Sequence, residues 1–412
     1  MKYDFNTYIE RRGSGCIKYD ELEKRYGYAD LIPAWVADMD FPVLPEITEA
    51  LQKRIAHPVY GYASVPEEYR QSIINWLMRR HNWKVGYDEI TYIPGVVKAI
   101  GLVINHFSQP GDKILIQPPV YHPFTFVPEG NHLEIIHNPL RRLPDGSYEM
   151  DIDDLKKKIS EHRPQIMILC NPHNPIGIQW DTETLRDVAS ICHKYGVIVI
   201  SDEIHEDLML WGIKHIPFES VSEEASEISI TLGAPSKTFN IAGLVSSWVV
   251  IKNKEMRESF FTWMKSNEFD DPTFIATTAT IAAYNYGDSW LDQLIKYLEE
   301  NQLFIEDFIK KEIPSIKVVR PQASFLTWLD CRGLYPEESI LHGKLDNLFI
   351  NKAGLALNNG FIFGREGDGF MRFNMGCHDR YYGMHLKNWQ WLLNHNQITL
   401  KQWTIASFHR KI

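Results

Sequence analysis

The sequence predicts an α/β protein whose mostly parallel central sheet is covered by helices on both faces, with a smaller α+β part attached. Three observations predict this. Compact apolar runs such as Val197–Ile200 lack polar alternation, as strands buried on both faces do. Stretches with helical apolar spacing separate them. Beyond about residue 290 the texture changes to one long helix and several isolated β-type segments.

Taken in order, Glu89–Ile93 is a β-type run that passes through Pro94-Gly95 into a helix over Val96–Phe107. The turn Gln109-Pro110-Gly111-Asp112 hands over to a strand at Lys113–Ile116. Gln165–Leu169 runs into a proline-rich loop, and Asp181 is the expected N-cap of a helix reaching Lys194 and ended by Gly196. Val197–Ile200, Glu227–Leu232 and Ser246–Ile251 are the next strands. A helix over Trp290–Lys310 then precedes β-type segments at Ile316–Val319, Ser324–Leu329 and Gly369–Met375. The expected division is a large part over residues 46–288, and a small part made of residues 1–45 and 289–412. The segment around Pro33–Pro45 crosses between them.

A chain of 412 residues is long enough for two such units. Its 43 basic and 53 acidic residues leave a net charge of −10, which argues against nucleic acid as the main partner. The amino terminus has no apolar signal region, and no apolar run approaches the ~20 residues of a membrane helix. Five scattered cysteines without any Cys-x-x-Cys spacing fit free thiols in a reducing cytoplasm. Cys170 and His173 stand three apart with no second pair, so they read as a strand cysteine and a loop histidine, and no metal site is expected.

In an open parallel sheet, ligands sit beyond the carboxyl ends of the strands. After the first strand comes Gly95-Val96-Val97 at a helix start, where free N–H groups suit an anion. After the second comes Pro118-Pro119-Val120-Tyr121, and after Gln165–Leu169 the run Asn171–Gly177 with Asn174 between prolines. Val197–Ile200 leads to Asp202-Glu203-Ile204-His205, and the next strand to Ala234-Pro235-Ser236-Lys237-Thr238. Singly, each has an ordinary explanation as a turn glycine, rim aromatic, turn amide, helix cap or solvated charge. Their meeting on one edge points to a site.

The block Ser236–Leu244 resembles the lysine motif of fold-type I aminotransferase-like enzymes that use pyridoxal 5′-phosphate (PLP). Asn171–Gly177 and Ser201–His205 resemble two further blocks of that superfamily, in the same order. Trp35–Pro42, Pro119–Phe124 and Asp202–His205 are similar to the MalY/PatB branch, the cystathionine or cysteine-S-conjugate β-lyases. The resemblance spans about residues 1–377 and implies the PLP-dependent transferase-like fold.

The resemblance also implies roles. Lys237 carries the cofactor as a Schiff base and serves as the base at Cα. Asp202 faces the pyridine nitrogen, Asn174 the phenolic oxygen, and Tyr121 stacks on the ring. His205 lies beside the cofactor. Val96 and Val97 N–H groups and the Ser236 hydroxyl receive the phosphate, with Tyr62 reaching it from the neighbouring subunit of a homodimer. Arg372 grips the substrate carboxylate, with Ala37 and Asn174 also at the substrate.

The sequence departs from the pattern in places. Val245 stands where many aminotransferases have a phosphate-binding arginine, His205 where they have tyrosine, and Ala234 where several relatives have serine. After Cys377 the sequence becomes a Trp-, His- and Asn-rich tail of poor periodicity, with one expected helical turn at Trp389–Leu393. The leading expectation is a PLP-dependent carbon–sulfur β-lyase acting on an amino-acid thioether. The runner-up is an aminotransferase on the same scaffold. A third reading, from another class, is a PLP-binding protein whose main role is to contact a regulator.

Overall fold

The computed structural model describes residues 3–336 and 340–378. The expected turn at Trp389–Leu393 lies outside the described residues.

Seven strands build the main sheet: β1 (Ile90–Ile93), β2 (Lys113–Ile116), β3 (Glu134–His137), β4 (Ile166–Cys170), β5 (Ile198–Asp202), β6 (Ser229–Gly233) and β7 (Ser247–Val250). Their spatial order is β1-β7-β6-β5-β4-β2-β3. Neighbours are parallel except at β7, which is antiparallel to both β1 and β6. The absence of polar alternation follows from burial on two faces. Leu115, Met167, Leu169 and Val199 join one core, whereas Ile114, Ile116, Ile166, Ile168 and Ile200 join another on the opposite face.

Helices α1 (Pro45–Ile55), α2 (Glu67–His81), α3 (Val96–Phe107), α4 (Thr182–Tyr195), α5 (Phe274–Tyr286) and α6 (Asp288–Glu312) are the main helical elements. Asp181 caps α4 by accepting from the Thr184 N–H, and Gly196 closes it in the left-handed conformation, both as expected. Expected boundaries shift by a residue or two in several elements, and at one of them the element type changes. The strand expected to begin at Glu227 begins at Ser229, because Ser222 caps a short helix over Glu223–Ile228. The β-rich pattern at 227–232 conceals that helix end.

A second, antiparallel sheet contains β8 (Lys317–Val319), β9 (Leu326–Asp330), β10 (Asn358–Asn359) and β11 (Phe370–Asn374), in the order β8-β9-β11-β10. The amino-terminal segment runs beside it: Ile32 and Pro33 pair in parallel with Leu355 and Ala356 as a separate two-stranded sheet, and the Asn374 N–H donates to the Ala34 carbonyl. The two sheets share packing: Trp328 of β9 and Phe370 of β11 stack at 5.1 Å and belong to the core that contains Leu169.

Candidate active site

The carboxyl ends of β1, β4, β5 and β6 form the floor of one site. Lys237 lies on a four-residue helix, Pro235–Thr238, that follows β6 directly. Its Nζ donates to the Ala37 carbonyl at 2.6 Å. Burial pulls the ammonium down to about 8; Asp38 and Asp202 oppose that shift and Arg372 adds to it. This amine therefore gives up its proton more readily than an ordinary lysine.

Asp202 ends β5, where register places it beside Cys170 of β4 and Leu232 of β6. Its Oδ1 accepts from the Ile204 N–H at 3.1 Å. Burial nevertheless raises the carboxyl to about 7, with Lys237 opposing the rise. A cationic or N–H-bearing group facing it would hold it ionised. His205, three residues on, is buried with no partner for Nδ1, and burial followed by Lys237 and Arg372 pulls it to about 3. It is a neutral imidazole.

Asn174 and Tyr121 come from the loops after β4 and β2. The Asn174 loop is docked on the second sheet through Gly177, whose carbonyl accepts from the Gln322 and Ala323 N–H groups. A side chain on Gly177 would meet Pro321 Cβ at 2.6 Å, and its φ of +75° is left-handed. Tyr121 is raised by burial, so its phenol stays protonated. Gly95, at φ +92°, opens α3, so Val96 and Val97 occupy its first turn with their N–H groups outside the helical ladder. Val245 approaches this same turn, its Cγ1 3.7 Å from a Cβ built on Gly95. Ser236 is buried beside Lys237.

The roof is the extended segment 34–41. Arg372, on β11, donates to Trp35 O at 3.1 Å, Asn174 Oδ1 at 3.1 Å and Asn358 Oδ1 at 2.6 Å. Its guanidinium also lies over the Phe363 ring. Among the described residues no carboxylate pairs with it, and burial lowers it to about 10. A buried guanidinium held by neutral oxygens is a ready partner for a ligand carboxylate.

Sequence reasoning passed over the residues that hold this roof. Asn374 donates to Val36 O and Asp38 O, while Asn240 accepts from Met39 N and donates to Met39 O and Phe41 O. Arg11 binds Asp38 and Asp40, and the buried Lys18 pairs with Asp40 at 2.7 Å. Asn240 and Asn374 stand inside recognisable blocks, which was the available signal; Arg11 and Lys18 carried none. His122, beside Tyr121, was also passed over: burial and Arg372 pull it to about 4, and its Nδ1 has no partner. Tyr62, in contrast, stands fully exposed on the extended stretch before α2, where Tyr60 stacks on Phe274. Ala37 meets the site through its carbonyl.

Residues 36–383 match the family described as aminotransferase class I and II. The chain is 41% identical over 374 residues to cystathionine beta-lyase PatB of Bacillus subtilis, covering 91% of this chain and 95% of that protein. Cystalysin from Treponema denticola, whose structure contains pyridoxal 5′-phosphate, is 34% identical with a TM-score of 0.91, over 96% of this chain and all of that one. The PLP-bound C-S lyase of Staphylococcus hominis is 29% identical with a TM-score of 0.87, over 95% and 98% of the two chains.

Proposed function

Because the chain belongs to the aminotransferase class I and II family, we propose that it is a PLP-dependent carbon–sulfur β-lyase. It splits cystathionine, or a related cysteine S-conjugate, with water into a thiol, pyruvate and ammonium. One observation carries the reading: a proton-poor buried lysine and a buried carboxylate share a site with an arginine that pairs with no carboxylate among the described residues. The similarity to proteins named as cystathionine β-lyase and C-S lyase favours elimination over transamination. Val245 in place of the arginine of many aminotransferases points the same way.

The residues present fit the cofactor. Lys237 would bond its aldehyde carbon, and Asp202, pushed toward neutrality by burial, would gain a hydrogen-bonded positive partner in the ring N–H. Asn174 would face the phenolic oxygen, Tyr121 the ring, and His205 its far side as a neutral group. The phosphate would rest on the N–H groups of Val96 and Val97 and on the Ser236 hydroxyl. When bound, PLP supplies the electron sink that lets the Cα–H bond ionise.

The chain's own residues do the rest. Arg372 binds the substrate carboxylate with a planar fork, and Asn358, Asn174 and Trp35 O fix its plane. Lys237, whose amine burial makes less basic than an ordinary lysine, is the group that would accept the Cα proton. The Ala37 carbonyl holds the Lys237 ammonium at the roof. Tyr62 would complete the phosphate site from a second copy of the chain; its full exposure, with Val59, Tyr60 and Val65 exposed on the same stretch, supports a homodimer. The proposed division is a large PLP-binding unit over residues 46–288 and a small unit from 1–45 and 289–412; the separate placement of the seven-stranded and four-stranded sheets along the chain supports it. Five scattered cysteines without any Cys-x-x-Cys spacing support a cytoplasmic setting.

Incubating the PLP-loaded protein with cystathionine tests the proposal. Catalytic pyruvate and homocysteine are expected. Stoichiometric conversion of the cofactor to its amine form without pyruvate establishes the aminotransferase instead, and no turnover at full PLP occupancy overturns both.

A further inference from the structure

Behind the Lys237 turn lies a second group of titratable side chains, walled off from the site just described. Glu203, Glu206 and Asp207 follow Asp202 in one tight turn and are all buried. His81, the last residue of α2, and His215 face them, their rings 5.5 Å apart and edge to face.

Two of the three carboxylates are satisfied. Glu203 accepts from Ser201 Oγ, from the Phe218 N–H and from His215 Nε2 at 2.7 Å. Asp207 accepts from Trp76 Nε1 and Thr238 Oγ1 and lies 2.7 Å from His81 Nε2. Glu206 is different. It is 1% exposed, and neither of its carboxylate oxygens has a hydrogen-bond partner. Its Oε2 lies 4.0 Å from His81 Nε2. Ligand atoms of His81, Glu206 and Asp207 fall within 4.8 Å of one another, and Glu206 also belongs to a second such group with Glu203 and His215.

A buried carboxylate without a partner is expensive, and so is its neutral acid, whose O–H then lacks an acceptor. Burial, then Asp207 and Glu203, push Glu206 well above the ordinary carboxyl range, which restates that cost. A cation between the three side chains removes it.

We propose that His81, Glu206 and Asp207 bind one divalent first-row transition-metal ion. One imidazole and two carboxylates suit zinc or manganese, whereas calcium and magnesium favour sites made of oxygen alone. Binding displaces the proton between His81 and Asp207, and His81 coordinates through its bare Nε2. The Glu203–His215 pair and Trp76 form the surrounding hydrogen-bonded shell. The ion ties α2 to the turn after β5. Through Asp207 and Thr238 it reaches the helix that bears Lys237. It stands outside the reaction and does not depend on the lyase reading.

Metal analysis by mass spectrometry tests this on PLP-loaded protein, purified without chelator and then dialysed against Zn²⁺ or Mn²⁺ alone. About one ion per chain is expected, with Glu206→Gln, which removes a ligand, binding it at least about 10-fold more weakly, the smallest loss usual for an outer-shell partner, while keeping the visible cofactor band. If Glu206→Gln loses the cofactor, His81→Gln is read in the same way. Less than about 0.1 ion per chain after dialysis, or unchanged uptake by the variant, overturns the site.

Discussion

Lys237 and Arg372 are both buried cations facing one site, and they are held in opposite ways. Among the described residues Lys237 has one hydrogen bond, to a backbone carbonyl, and two carboxylates nearby in Asp38 and Asp202. Arg372 has, among the described residues, three hydrogen-bond partners and no carboxylate. The first arrangement lets a group change its proton and its covalent partner. The second fixes a charge in place and leaves its electrostatic demand open for a ligand. A site that both transforms an amine and grips a carboxylate needs one of each.

The largest effect expected comes from removing the changeable cation. Lys237→Ala should lower turnover by at least about 10³-fold and abolish covalent cofactor attachment, read by mass spectrometry after borohydride reduction. Residual turnover within tenfold of the parent would place the base elsewhere.

Changing the fixed cation should act differently. Arg372→Lys keeps the charge and loses the planar fork, so kcat/KM should fall by about 10²-fold, about 2.7 kcal/mol, mainly through KM. The cofactor spectrum should be unchanged. A loss confined to kcat would contradict a carboxylate-binding role.

The low proton affinity of Lys237 gives a pH signature. Below about 8 the amine is protonated and inert; above it the amine is free to bond the cofactor. The rate at which cofactor-free protein takes up PLP should therefore rise about tenfold between pH 7 and pH 9 and then level off. An ordinary lysine would give a rise nearer a hundredfold over that interval with no plateau.

The floor of the site was legible because its residues each follow a strand: Val96, Asn174, Asp202 and Lys237 are read off strand ends without knowledge of distant contacts. The roof was not. Ala37 meets Lys237 across 200 positions, and Trp35 meets Arg372 across 337, so no local pattern encodes those contacts. Resemblance supplied Arg372, but not that its partners are all neutral. The Glu206 group was hidden for a similar reason, because His81 approaches it from α2, 126 positions before Asp207. Glu227 and Ile228 show the converse error: local pattern placed them in a strand, and they end the short helix that Ser222 caps.

The contrast between the two cations is sharpest at Asn358, the closest partner of Arg372 at 2.6 Å. Asn358→Asp would replace a neutral acceptor by a permanent carboxylate with nearly the same shape. If the open charge of Arg372 is what recruits substrate, an internal carboxylate should satisfy it and compete. A charge-assisted hydrogen bond exceeds a neutral one by about 1 kcal/mol, so KM should rise about fivefold and thermal stability should increase by a comparable amount. Turnover at saturating substrate should stay near the parent value, since the Lys237 side is untouched. Unchanged KM with raised stability would mean that Arg372 is a structural cation, and that the substrate carboxylate is held elsewhere.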